Sequence, residues 1–212
     1  MLRKTLMSVL FACCGFGATA EPVVIAALGD SLTQGYGLPE QDGFVPQLDR
    51  WLRAQGADVR LINAGVSGDT TAGGAARVDW TLTPDVDGII VALGGNDLLR
   101  GIDPAVSRGN LEAIVKAATA SDVDILLIGM QAPGNYGAEY KTTFDAIYPD
   151  LARLYQTGYA ASFFAGLNAE GDPDIAQPYM QPDGIHPNAA GVALIVEELG
   201  PHVMDLVQSA KR

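Results

Sequence analysis

Four short runs of this chain are apolar almost throughout: Val23–Leu28, Val59–Ile62, Ile89–Leu93 and Ile125–Ile128, with Arg60 the one charged residue among them. A strand with one wet face alternates polar and apolar side chains, so a continuous run needs cover on both faces. That cover comes from helices, and the spacing supplies them. Helical segments are expected around Phe44–Gln55, Ala72–Thr81, Pro104–Ser121 and Phe144–Gln156, with a last one over about Asn188–Gln208. Asp103 and Pro104 read as N-cap and first helical residue. A weaker apolar run near Ala161–Phe164 is the candidate fifth strand. Strands alternating with helices build β-α-β units. The pattern therefore predicts an α/β chain: a three-layer α/β/α sandwich around a mostly parallel, flavodoxin-like five-stranded sheet. No repeat or linker divides it, and Glu170–Pro178 reads as an exposed loop.

The first twenty residues stand apart. Arg3 and Lys4 precede a largely apolar stretch, Thr5–Phe16, and Ala18-Thr19-Ala20 follows. A positive start, a short apolar core and an A-x-A site together read as a secretory signal peptide, with residues 21–212 as a single mature domain. The expected location is therefore periplasmic or secreted. The competing reading is lipid anchoring at Cys13, since Leu10-Phe11-Ala12-Cys13 resembles a lipobox, although Phe11 fits it poorly. Cys13 and Cys14 are the only cysteines, so cleavage after Ala20 leaves none.

In an open α/β sheet, ligands bind beyond the carboxyl ends of the strands. Small and polar residues crowd those ends here: Gly29-Asp30-Ser31-Leu32, Asn63 to Asp69, Gly94-Gly95-Asn96-Asp97 and Gly129-Met130-Gln131. Ser31 leaves the first strand with its hydroxyl toward the crevice, although a serine there can also cap the next segment. Asp30 is adjacent, but neighbouring side chains diverge, so its expected role is to hold the turn by hydrogen bonds. The chain has two histidines. His202 falls within the last helix, where packing or solvation accounts for it. His186 lies in Asp183-Gly184-Ile185-His186-Pro187, a loop just ahead of that helix. Pro187 disfavours helical backbone at His186, and Asp183 is near enough for one turn to join carboxylate and imidazole. Such a pair fixes one ring nitrogen and frees the other as a base. No G-x-S-x-G sequence is present, so an α/β-hydrolase proper is not expected.

Taken in order, Gly29-Asp30-Ser31-Leu32, Ser67-Gly68-Asp69-Thr70, Gly94-Gly95-Asn96-Asp97 and Asp183-Gly184-Ile185-His186 resemble the four blocks of the GDSL, or SGNH, hydrolases. The resemblance extends from about Val24 through Gly191. It is closest to bacterial arylesterases and to the periplasmic thioesterase I/protease I/lysophospholipase group, to which the Pro133–Gly137 and Ala146–Pro149 segments look similar. The resemblance implies Ser31 as nucleophile, His186 as base and then acid, and Asp183 as the group orienting it. It implies an oxyanion hole from the Ser31 and Gly68 N–H groups and the Asn96 amide. Spacing alone leaves Gly65 as a competitor to Gly68. Asn135, Tyr136 and the segment Arg77–Leu82 would wall the acyl pocket, and no cofactor or metal would be needed.

Charge narrows the partners. With 13 Lys+Arg against 25 Asp+Glu, the formal charge is −12, and losing Arg3 and Lys4 takes it to −14. Nucleic acid needs a basic footprint, so it is excluded, and stable membrane insertion after signal cleavage is not expected. The leading reading is a monomeric serine ester hydrolase acting on aryl or short-to-medium acyl esters, and on thioesters or lysophospholipids, through an acyl-serine. Two other readings stand behind it. One is a carbohydrate O-deacetylase of the same superfamily, disfavoured by only 7% aromatic residues for sugar stacking; the other is a non-catalytic binder of small ligands.

Overall fold

The computed structural model describes residues 21–168 and 173–210. The expected signal peptide, with Cys13, lies outside them, as does part of the Glu170–Pro178 loop, whose residues 174–178 are mostly exposed. The strands are β1 (Val23–Gly29), β2 (Val59–Gly65), β3 (Gly88–Ala92), β4 (Asp124–Ile128) and β5 (Gly158–Ala160). They run all parallel in the order β2-β1-β3-β4-β5, the flavodoxin-like winding. The helices are α1 (Ser31–Gln34), α2 (Phe44–Ala54), α3 (Thr71–Thr81), α4 (Gly95–Leu99), α5 (Pro104–Ala120), α6 (Ala138–Asp145), α7 (Ile147–Tyr155) and α8 (Ala189–Ser209). Helices α2 and α8 pack together on one side, and α3, α5 and α7 cover the other. β1 and β3 are buried at every position because both faces meet a helix layer, as their unbroken apolar runs require.

Two expectations need correction. The fifth strand is Gly158–Ala160, not Ala161–Phe164. The latter segment turns under the sheet edge, where the Phe163 N–H donates to the Gly129 carbonyl and its ring packs on Phe44. Phe163 is buried by that contact, while Ala161 is exposed, so the run marks one inserted ring and not a paired strand. The single helix expected over Phe144–Gln156 is two, divided at Ala146. Pro149 falls in the first turn of α7, where a missing N–H has no intrahelical bond to lose. The Asp145 carboxylate accepts from the Ala132 N–H at 2.7 Å and from Lys141 at 2.8 Å, which ends α6 against the loop after β4.

Candidate active site

β1 delivers its chain to the crevice at Gly29, and Asp30 turns it into α1. The buried Asp30 carboxylate caps that helix, accepting the Leu32 N–H at 3.0 Å. This places Ser31 at the helix start. Far along the sequence, the loop before α8 is held by its own polar groups. Asp183 Oδ1 accepts the N–H of Ile185 and of His186, each at 3.0 Å. The His186 carbonyl accepts from the Gln181 N–H at 2.7 Å. Asn188 caps α8 through the N–H groups of Ala190 and Gly191.

The two loops meet in one chain of hydrogen bonds. Asp183 Oδ2 lies 2.7 Å from His186 Nδ1, and His186 Nε2 lies 2.9 Å from Ser31 Oγ. With the ionised carboxylate on Nδ1, that nitrogen carries the proton and Nε2 is left to accept from the serine hydroxyl. The His186 bond and the two backbone N–H groups hold the Asp183 carboxyl down at about 2. It stays charged through the whole neutral range. The Tyr36 ring lies against the imidazole, with centroids 4.6 Å apart.

These groups open into a cavity of about 460 Å³. Gly68 and Asn96 line it beside Ser31, as do Asn135 and Tyr136. Gly68 has φ +83°, a conformation suited to glycine, and its carbonyl accepts from Arg100 at 2.9 Å. Gly65 plays a different part. Its N–H donates to Asn63 Oδ1, and a side chain there would overlap the backbone of Gln34. The Asn96 amide donates one N–H to Asp30 Oδ2 at 3.2 Å, which leaves the second for another acceptor. Burial raises the Asp30 carboxyl to about 6 against the lowering effect of the Leu32 N–H and the Asn96 amide.

One expected wall is absent: among the described residues, Arg77–Leu82 does not line the cavity. Arg77 points at the sheet instead, donating to the Ala64 and Gly29 carbonyls at 2.7 and 2.9 Å and to Asp69 at 2.6 Å. The apolar wall comes from residues that sequence reasoning missed, among them Tyr36, Leu98, Leu99, Phe164 and Ile185. Leu98 and Leu99 follow Asn96 on α4, and that proximity was the available signal. Among the described residues, no group of three or more His, Cys, Asp or Glu could hold a metal ion.

The GDSL-like lipase/acylhydrolase family model matches residues 27–194, which is most of the chain. The chain belongs to that family. As a GDSL hydrolase it is an enzyme that cleaves esters. Esterase TesA of Pseudomonas aeruginosa is 34% identical over 207 residues, covering 97% of this chain and all of that protein. The thioesterase 1/protease 1/lysophospholipase L1 of Escherichia coli K12 is 32% identical, covering 90% of this chain and 86% of its own. The crystal structure of AlinE4, an SGNH-hydrolase family esterase, aligns with TM-score 0.71 at 42% identity, covering 89% of this chain and 98% of that one.

Proposed function

We propose that Ser31 is the nucleophile of this GDSL esterase, His186 its general base and then acid, and Asp183 the carboxylate that orients His186. The continuous Asp183–His186–Ser31 hydrogen-bond chain, joining residues 155 apart, carries this reading. Ser31 Oγ attacks the carbonyl carbon of an acyl ester while His186 Nε2 takes the hydroxyl proton. The carbonyl oxygen becomes an oxyanion, which accepts from the Ser31 and Gly68 N–H groups and from the free N–H of Asn96. Collapse expels the alcohol, which leaves with the proton from His186, and the acyl group remains on Ser31. Water, activated by the same imidazole, then releases the acid and restores the serine.

The substrates are uncharged aryl and short-to-medium acyl esters, received against Leu98, Leu99, Met130 and Phe164, with Asn135 and Tyr136 in the same lining. Thioesters and lysophospholipids pass through the same oxyanion and are candidate substrates. Every group in the scheme comes from one chain, so a monomer suffices. Export follows the leader reading: cleavage after Ala20 leaves Glu21 and Pro22 ahead of β1, so the sheet is untouched. Mature protein sequenced from Glu21 supports that reading, and a lipid on Cys13 overturns it.

The experiment is covalent labelling. A p-nitrophenyl phosphonate should inactivate the enzyme with one equivalent of p-nitrophenol released, and the label should map to Ser31. Folded Ser31→Ala should lose both labelling and turnover of p-nitrophenyl butyrate. Wild-type turnover in that variant would sink the assignment.

A further inference from the structure

Helix α4 does more than present Asn96. The next residue, Asp97, is fully buried, and its carboxylate reaches across to α3 and α5. It accepts the Thr71 N–H at 2.8 Å, the Thr71 hydroxyl at 2.6 Å and the Ser107 hydroxyl at 2.9 Å. The Thr71 hydroxyl accepts in turn from Asn110 at 3.0 Å. Thr70 already caps α3 through Gly73, so the hold on Thr71 is an additional tie from another element. A buried carboxylate carries a large desolvation penalty, and simple packing between helices does not require one. At the other end of α4, the exposed Arg100 donates to the Gly68 carbonyl at 2.9 Å. The loop Val66–Thr70 is thus tied at the Gly68 carbonyl by Arg100, the C-cap of α4, and just past its end, at Thr71, by Asp97 of the helix that carries Asn96.

We propose that Asp97 and Arg100 are positioning residues that fix the Gly68 N–H relative to the Asn96 amide. The proposal rests on Gly68 and Asn96 being the oxyanion donors. Gly68 and its neighbours Val66 and Ser67 are exposed, and a glycine at positive φ can rotate its peptide with little steric resistance. A donor that drifts by a fraction of an ångström loses much of its hold on a developing charge. Bonding the Gly68 carbonyl to Arg100 holds the Gly68–Asp69 peptide, whose Asp69 N–H also closes a turn onto the Val66 carbonyl at 3.1 Å. The preceding peptide, which carries the Gly68 N–H, is thereby held inside that turn, and anchoring Thr71 on Asp97 sets where the loop ends. Because both ties and Asn96 belong to α4 and its C-cap, the two donors are referred to the same rigid frame.

The test uses full-length enzyme with p-nitrophenyl butyrate as substrate and a p-nitrophenyl phosphonate as inactivator. Arg100→Met and Asp97→Asn should each lower kcat about tenfold or more, short of the ~10²–10³ typical of deleting a donor outright, with KM nearly unchanged. Phosphonate inactivation should slow in parallel, since its transition state also places charge on oxygen. Arg100→Lys can still donate to the Gly68 carbonyl and should recover most of the loss. In an Asn96→Ala background, each variant should cost less than it does alone. Arg100 is exposed, so its variants fold whether or not Asp97→Asn does. Folded Arg100→Met and Asp97→Asn with wild-type kcat, beside an impaired Asn96→Ala, would overturn the positioning roles alone. Wild-type kcat in folded Asn96→Ala would overturn the oxyanion reading beneath them.

Discussion

Asp30 stands next to Ser31 yet is buried, with its carboxyl raised to about 6. Unfolded, it titrates near 3.8, so the folded chain binds its proton more tightly. Stability from this group is therefore fully present below about pH 4 and is lost as pH rises to about 6, a change of roughly 3 kcal/mol. Asp183 runs the other way: its contribution is present above about pH 4 and is lost as pH falls toward 2. Between pH 4 and 7 the melting temperature of Asp30→Asn should therefore rise relative to that of wild type. Parallel curves for the two proteins would refute it. The same variant should be slower, because the new amide can set an N–H, rather than an acceptor, against the Asn96 amide. The Asp183–His186 pair was legible in the sequence because three residues and one turn bring the two side chains together. The raised Asp30 was not, since its burial comes from the sheet and from Asn96, 66 residues away.

Arg77 shows the same division among elements. Residues on α3 read from the sequence as a pocket wall, but the guanidinium turns to the ends of β1 and β2 and to Asp69. The planar fork joins the two strand ends: it meets the Ala64 carbonyl of β2 and the Gly29 carbonyl of β1, which also accepts the Val66 N–H, while pairing one carboxylate. Arg77→Met should lower stability by at least about 2 kcal/mol, given the charged hydrogen bonds it removes. Arg77→Lys should recover little, because an ammonium lacks the fork. Denaturant titration measures both; a Lys variant as stable as wild type would show that charge alone holds the strand ends. The strand positions followed from apolar runs, whereas the division of α6 from α7 and the placement of β5 did not. A mostly apolar run such as Ala161–Phe164 looks alike in a strand and in a turn that buries one ring, and the seating of Phe163 on Phe44 is a contact that spacing does not record.

Over the whole molecule, the formal charge of −12, or −14 without Arg3 and Lys4, should bias which substrates arrive. A polyanionic acyl-CoA meets a repulsive field that an uncharged aryl ester does not. Raising salt from about 10 to 150 mM shortens the Debye length from about 30 to about 8 Å, so kcat/KM for acyl-CoA should climb several-fold. The value for p-nitrophenyl butyrate should hardly move. Equal salt responses would mean that the field does not reach the site. No helix of the described residues is long and apolar enough to cross a membrane. What the sequence determined by itself was local or periodic: which runs are buried on both faces, the parallel α/β class that follows, and the four short blocks at strand ends. It also determined the carboxylate–imidazole pair, whose members lie within one turn. Spacing left Gly65 and Gly68 open and only the family resemblance favoured Gly68; tertiary structure shows Gly68 lining the cavity beside Ser31, and it alone decided where Arg77 and Asp97 direct their hydrogen bonds. Those outcomes depend on residues tens of positions apart meeting across a sheet edge, and sequence spacing carries no record of such distances.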